Sequence, residues 1–246
     1  MPKFIASIEA RMGSTRLPGK ILEDVGGVPV LTRLLRRLRR AKRLDGIVLA
    51  TTVNPADDAI EEWAEGEGLD WFRGSEDDVL ARVVDAQQMM RSDIVVEVCG
   101  DTPLLDPEVI DMAIEAFAAN TCHVVTTTRK KSFPDGIDAE VFRLSDLERV
   151  AATVTDRAVR EHVSLYFYQH PERYRIHHLP APPAWRRPDL RLVLDEADDL
   201  ALIREIYTRL EPEHGDEFGT VEIIRLFDSE PELMNINRPA SEKVAP

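Results

Sequence analysis

Cysteine is almost missing from this chain: Cys99 and Cys122 are its only two, each inside an apolar run, with no framework of spacings around them. Such thiols read as free and buried, in a reducing compartment. No apolar signal-type segment precedes the strand-like run Lys3–Ile8, and no apolar stretch reaches the roughly 20 residues that span a bilayer. The chain is therefore read as cytoplasmic, with no membrane partner. Basic residues are the minority, 31 Lys and Arg against 45 Asp and Glu, for a net charge of -14. That balance repels a nucleic-acid backbone, so no nucleic-acid partner is expected. A phosphate-bearing ligand must then be small and held by a local basic pocket.

Two familiar glycine motifs are lacking as well. There is no Gly-x-Gly-x-x-Gly, which excludes the dinucleotide fingerprint. A P-loop is excluded because five residues separate Gly13 from Gly19 and Ile21 follows Lys20, where that motif needs Ser or Thr.

What the sequence does contain is a regular alternation. Strand-like runs at Phe4–Ile8, Ile47–Thr51, Trp71–Phe72, Ile94–Val98 and Val124–Thr127 are separated by helical patterns at Val30–Leu44, Asp57–Glu65, Asp77–Met90 and Pro107–Ala119. The rhythm predicts an α/β fold, a mostly parallel sheet covered by helices on both faces. Beyond Lys130 the pattern changes. A turn at Phe133–Gly136 leads to a strand at Ala139–Phe142, a helix at Asp156–Gln169, an extended run at Tyr174–Leu179, a strand at Leu190–Leu194 and a helix at Asp198–Leu210. A single domain, 1–246, with an excursion over 130–188 accounts for this better than two domains. The basic run from Arg33 to Arg43 is read as the solvated face of a helix whose leucines pack on the sheet.

The chemistry concentrates at strand ends. After the first strand comes Glu9-Ala10-Arg11-Met12-Gly13-Ser14-Thr15-Arg16-Leu17-Pro18-Gly19-Lys20. A Gly-, Ser- and Thr-rich loop there turns backbone N–H groups toward one point, which suits phosphate oxygens, and Arg11, Arg16 and Lys20 supply cations. Asp101, in Cys99-Gly100-Asp101-Thr102-Pro103, ends the presumed central strand and faces the same crevice, where it is placed to hold Mg²⁺. Asp106 is the better cap for the following helix. Asp195, after Leu190–Leu194, returns to the same edge and completes a two-carboxylate metal site. The lone acid in Cys99-Gly100-Asp101 argues against a glycosyltransferase, which wants Asp-x-Asp.

These strings, with Phe72–Leu80, Pro134–Phe142, Arg160-Glu161-His162-Val163 and Val193-Leu194-Asp195, occur in an order that resembles the cytidylyltransferase family of spore coat polysaccharide biosynthesis protein F, relatives of the CMP-Kdo and CMP-sialic acid synthetases. The resemblance runs from Lys3 to about Asn237. It implies a Rossmann-like nucleotide-diphospho-sugar transferase (GT-A-like) fold, transfer of CMP from CTP to a sugar or sugar acid with release of pyrophosphate, and a homodimer assembled through the 130–188 excursion. It also implies roles: Ala10, Arg11, Gly13, Ser14 and Lys20 around the nucleotide's phosphates, Arg73 by the base, Asp101 and Asp195 on the metal, and Asp138, Glu140 and His162 toward the acceptor. Glu9 departs from the pattern, standing where Gln is usual. Another nucleoside triphosphate in place of CTP is the alternative within the same class.

Overall fold

The computed structural model describes residues 2–238; residue 1 and residues 239–246, the ends of the expected domain, lie outside the described residues. The elements run β1 (Phe4–Glu9), a small hairpin of β2 (Asp24–Val25) and β3 (Val28–Pro29), α1 (Val30–Leu38), β4 (Gly46–Thr52), α2 (Asp58–Gly66), β5 (Asp70–Gly74), α3 (Val79–Met89), β6 (Ile94–Cys99), α4 (Pro107–Ala119), β7 (Val124–Thr126), β8 (Glu140–Arg143), α5 (Leu144–Thr153), α6 (Arg157–Glu161), α7 (Leu165–Gln169), β9 (Ile176–His178), α8 (Ala197–His214) and α9 (Thr220–Ser229).

Seven strands form one sheet in the order β5-β4-β1-β6-β8-β7-β9. The half containing β5, β4, β1 and β6 is parallel throughout. In the other half β8 runs antiparallel to both β6 and β7, and β9 pairs parallel with β7. The α/β fold with a mostly parallel sheet is therefore present, its antiparallel member supplied by the excursion.

Period-two alternation along β6 explains why both faces are covered. Val96 and Val98 point into the core shared with α1, α4 and α8, among Leu31, Leu34, Ile110 and Ile203. Val95 points the other way, into a second cluster with Leu80 and Val83 of α3, Leu147 of α5 and Phe167 of α7. A strand buried on both faces reads as an apolar run, as this one does. Glu97 and Cys99 follow Val95 on its face, where the cluster gives way to polar side chains toward the strand ends.

Several expectations are corrected. Leu190–Leu194 is not a strand: among the described residues it makes one isolated bridge, Asp135 to Arg191. Its amides are used singly instead, Leu192 N donating to Asp135 O at 2.7 Å and Leu194 N to Asp101 O at 2.9 Å. The helix expected over Asp156–Gln169 is two short helices. Asp156 caps α6 through its side chain, and the chain turns extended at His162 while Val163 buries beneath. The helix expected at Val30–Leu44 ends at Leu38. Arg33 and Arg37 are fully buried, not solvated. Arg33 donates to Glu211 at 2.5 Å and to Asp216, with its guanidinium 4.3 Å from the Tyr207 ring centroid. Arg37 donates to Phe218 O at 2.9 Å. Of the two free cysteines, Cys122 is buried but Cys99 is exposed. Among the described residues no helix is long and apolar enough to cross a membrane.

Candidate active site

β1 and β6 are neighbours, paired Glu9 to Cys99, so the segments leaving their C-terminal ends diverge from one point. Gly100 sits at that point. Its N–H donates to Glu9 O at 2.9 Å, and a Cβ there would lie 2.9 Å from the same oxygen and 3.0 Å from Ala10 Cβ. Only glycine allows the two strand ends to approach so closely.

The loop after β1 folds back on itself. Ser14 N and Gly19 N both donate to Met12 O, at 2.8 and 3.1 Å, and Met12 N is anchored to Asp57 Oδ1 at 2.6 Å. Gly19 takes a left-handed φ of +73°, which turns the chain so that Lys20 enters the protein. The buried Lys20 ammonium donates to Asp101 Oδ2 at 2.7 Å, to Asp195 Oδ1 at 3.0 Å and to Leu194 O at 2.6 Å. Two aspartates distant in sequence therefore converge on one cationic point. Asp195 is further paired with Arg16 at 2.8 Å and Arg191 at 3.0 Å. Burial works to raise its pKa, but hydrogen bonds from Lys20 and Arg191 outweigh burial and hold the carboxyl below its ordinary range.

A cavity of about 420 Å³ opens beside this cluster. Ala10, Arg11, Gly13, Ser14, Lys20, Asp101, Asp195 and His162 all line it. Of the residues expected from sequence, three stand apart from the lining. Arg73 is consumed by structure: it donates to Asp58 at 2.7 Å, Glu61 at 2.5 Å, Thr52 O at 2.7 Å and Asn54 O at 2.8 Å. Asp138 accepts from Gly136 N at 3.0 Å, and burial pushes its carboxyl up to about 6. Glu140 accepts from Thr126 at 2.7 Å, from Thr128 at 3.0 Å and from the Tyr168 hydroxyl.

The lining also holds residues that the sequence reading did not assign to a ligand, among them Glu9, Arg82, Cys99 and Glu161. Arg82 had a legible signal, since it lies one turn beyond Val79 on the helix face that also carries Val83, where a cation is out of place. Burial pushes the Glu9 carboxyl up to about 7; Arg82 opposes the shift, while Glu140 and Asp101 add to it. The Arg82 guanidinium is shifted downward, first by burial, with nearby Glu9 working in the opposite direction.

Comparison with known proteins bears on what this arrangement does. The cytidylyltransferase family model matches residues 5–222. Spore coat polysaccharide biosynthesis protein SpsF of Bacillus subtilis is 34% identical over 219 residues, covering 85% of this chain and 88% of that protein. A 3-deoxy-manno-octulosonate cytidylyltransferase of Chlorobium chlorochromatii is 29% identical, covering 91% and 84%. The structure of a cytidylyltransferase from Leptospira borgpetersenii superposes with a TM-score of 0.90 at 31% identity, over 97% of this chain and 99% of that one.

Proposed function

This chain belongs to the cytidylyltransferase family, and from that premise we propose that it transfers CMP from CTP to a hydroxyl of a sugar or sugar acid, releasing pyrophosphate, in building a surface polysaccharide or glycoconjugate. The observation that carries this reading is the Lys20 ammonium held between Asp101 and Asp195 at the rim of the loop cavity. The names of the Bacillus and Chlorobium relatives support the polysaccharide setting and the sugar-acid class of acceptor.

The two carboxylates suit a divalent cation. They already present oxygens to a single cation, at 2.7 and 3.0 Å from Lys20 Nζ. Among the described residues no group of three or more His, Cys, Asp or Glu side chains gathers to hold a metal ion. A two-carboxylate site is characteristic of Mg²⁺, which takes its remaining ligands from phosphate and water. Asp101 and Asp195 would hold the ion, whose chemistry is to neutralise charge on phosphate oxygens.

The protein's own part is electrostatic and positional. The loop around Gly13 and Ser14 receives the phosphates, and Arg11 and Lys20 stabilise the departing pyrophosphate. The acceptor hydroxyl attacks the α-phosphorus in line, approaching from the side of His162. Asp138 and Glu140 shape the acceptor region, and the 130–188 excursion carries both acceptor binding and a homodimer contact within one nucleotidyltransferase domain. The acidic net charge of -14 supports a small-molecule partner over nucleic acid.

Pyrophosphate release from CTP and Mg²⁺, measured against a panel of sugar and sugar-acid acceptors, tests the reading. Release that depends on one acceptor supports it. No release with any member of a panel that includes Kdo-like and nonulosonic acids counts against it.

A further inference from the structure

Asp101 and Asp195 both reach Lys20, yet the protein holds the two carboxylates differently. Among the described residues the Asp101 carboxylate has one side-chain partner, Lys20 Nζ at 2.7 Å. Asp195 is engaged through both oxygens. Its Oδ1 accepts from Lys20 Nζ at 3.0 Å and pairs with Arg16 at 2.8 Å, and its Oδ2 accepts from Arg191 Nη2 at 3.0 Å. Arg191 is itself aligned by Asp199. Its Nε donates to Asp199 Oδ1 at 3.1 Å and its Nη2 to Asp199 Oδ2 at 3.0 Å, a side-by-side fork that fixes a guanidinium in plane as well as in distance. Asp135 stands 4.0 Å from the remaining nitrogen, Nη1.

Asp199 does more than start a helix. α8 opens with a capping box, for which Asp199 needs only to accept from Glu196 N, as it does at 2.9 Å. The same oxygen also accepts from Asp195 N at 3.0 Å. Asp199 therefore grips the main chain of Asp195 and, through Arg191, its side chain. Asn237 closes the far side, its Nδ2 donating to Asp199 Oδ1 at 2.9 Å and to Arg191 O at 3.0 Å. Asp199 is 3% exposed, so these protein donors, and not bulk water, satisfy its charge.

We propose that Arg191 and Asp199 are positioning residues for the divalent cation: they commit Asp195 Oδ2 to the protein and leave Oδ1, on the Lys20 side, as the oxygen offered to the ion. The assignment rests on the reading that Asp101 and Asp195 hold that ion. Carboxylates that ligate a metal are oriented by the groups hydrogen-bonded to them, and loss of such a group weakens metal affinity or activity by roughly 10–100-fold. Asp195 is oriented before the ion arrives. Asp101, with its single side-chain partner, is the adaptable ligand of the two. A pre-set oxygen suits Mg²⁺, which demands near-ideal octahedral geometry and tolerates a misplaced ligand poorly.

Calorimetric titration of CTP into the intact protein, once with Mg²⁺ and once in EDTA, tests the clamp without turnover. The wild type is expected to bind CTP more tightly with Mg²⁺. Arg191→Lys keeps the charge but loses the fork, and should shrink that Mg²⁺-dependent gain by ~10-fold while CTP affinity in EDTA stays within about threefold. Asp199→Asn should act in the same direction, and it carries the test should Arg191→Lys fail to fold. In pyrophosphate release, the Mg²⁺ concentration for half-maximal rate should rise by ~10-fold in either variant, with most of kcat recovered at saturating Mg²⁺. A helix cap without a positioning role would change both titrations alike or neither. That result in folded variants overturns the clamp and leaves Asp101 and Asp195 standing as ligands. A wild type whose CTP affinity ignores Mg²⁺ sinks the metal reading, and the clamp with it.

Discussion

Lys20 and Arg33 are built on one plan and set in different surroundings. Each is a buried cation between two carboxylates from distant parts of the chain, Asp101 and Asp195 for the lysine, Glu211 and Asp216 for the arginine. Around Arg33 the protein is closed. All three guanidinium nitrogens donate to protein oxygens, and the Tyr207 ring covers one face. Lys20 instead borders the loop cavity, and its partner Asp195 is also paired with Arg16 from the same loop. Charge pattern alone therefore does not separate a structural cluster from a functional one; whether the surroundings leave room for a ligand does.

The largest expected effect comes from Asp101→Asn. Its turnover should fall by ~10³-fold or more, as for loss of an electrostatic group acting on the transition state, while thermal unfolding moves by less than about 2 °C. Near-wild-type pyrophosphate release would make the lysine cluster as structural as the arginine one and erase the contrast. Lys20→Ala should lower kcat/KM for CTP by ~10²-fold, divided between a higher KM and a lower kcat. Unchanged kinetics would remove Lys20 from the phosphate site. Arg33→Met should do the reverse, costing about 2–3 kcal/mol in urea unfolding, a figure discounted because its acids are partly exposed, with kcat per folded molecule kept. Lost turnover in that folded variant would extend the active site into α1.

The smallest effect concerns pH. Glu9 has a folded pKa of about 7 against an ordinary 4.5. A carboxyl raised in this way contributes stability that is full below about 4.5 and is lost as pH climbs through about 7. Glu9→Gln should therefore flatten the fall in thermal stability across that window, leaving the share that Glu97 and Asp138, also raised by burial, still contribute. An identical slope in wild type and variant would mean that Glu9 is ionised as freely as a surface carboxyl.

The parallel half of the sheet was legible because its signals are local. β1, β4 and β6 are apolar runs next to helical periodicity, and Asp106 caps its helix as expected, accepting from Glu108 N at 2.9 Å. Leu190–Leu194 misled because an extended apolar run has strand character whether or not a neighbour pairs with it. Arg33 and Arg37 misled because burial depended on Glu211, Asp216 and Phe218, which lie more than 170 positions away. That the first loop and the end of β6 meet at one crevice was legible from position alone, and Arg11, Ser14, Lys20 and Asp101 line the same cavity. That Arg73 would be drawn away from the cavity was not legible, because its partners Asp58 and Glu61 lie on α2, a separate element.

The hook that ties Leu194 N to Asp101 O also sets a timetable. Lys20 meets its first carboxylate, Asp101, 81 positions later and its second, Asp195, only 175 positions later. Until that segment emerges, a nascent chain has the loop after β1 and Asp101 but an unfinished ion cluster, which closes only once residue 195 has been made.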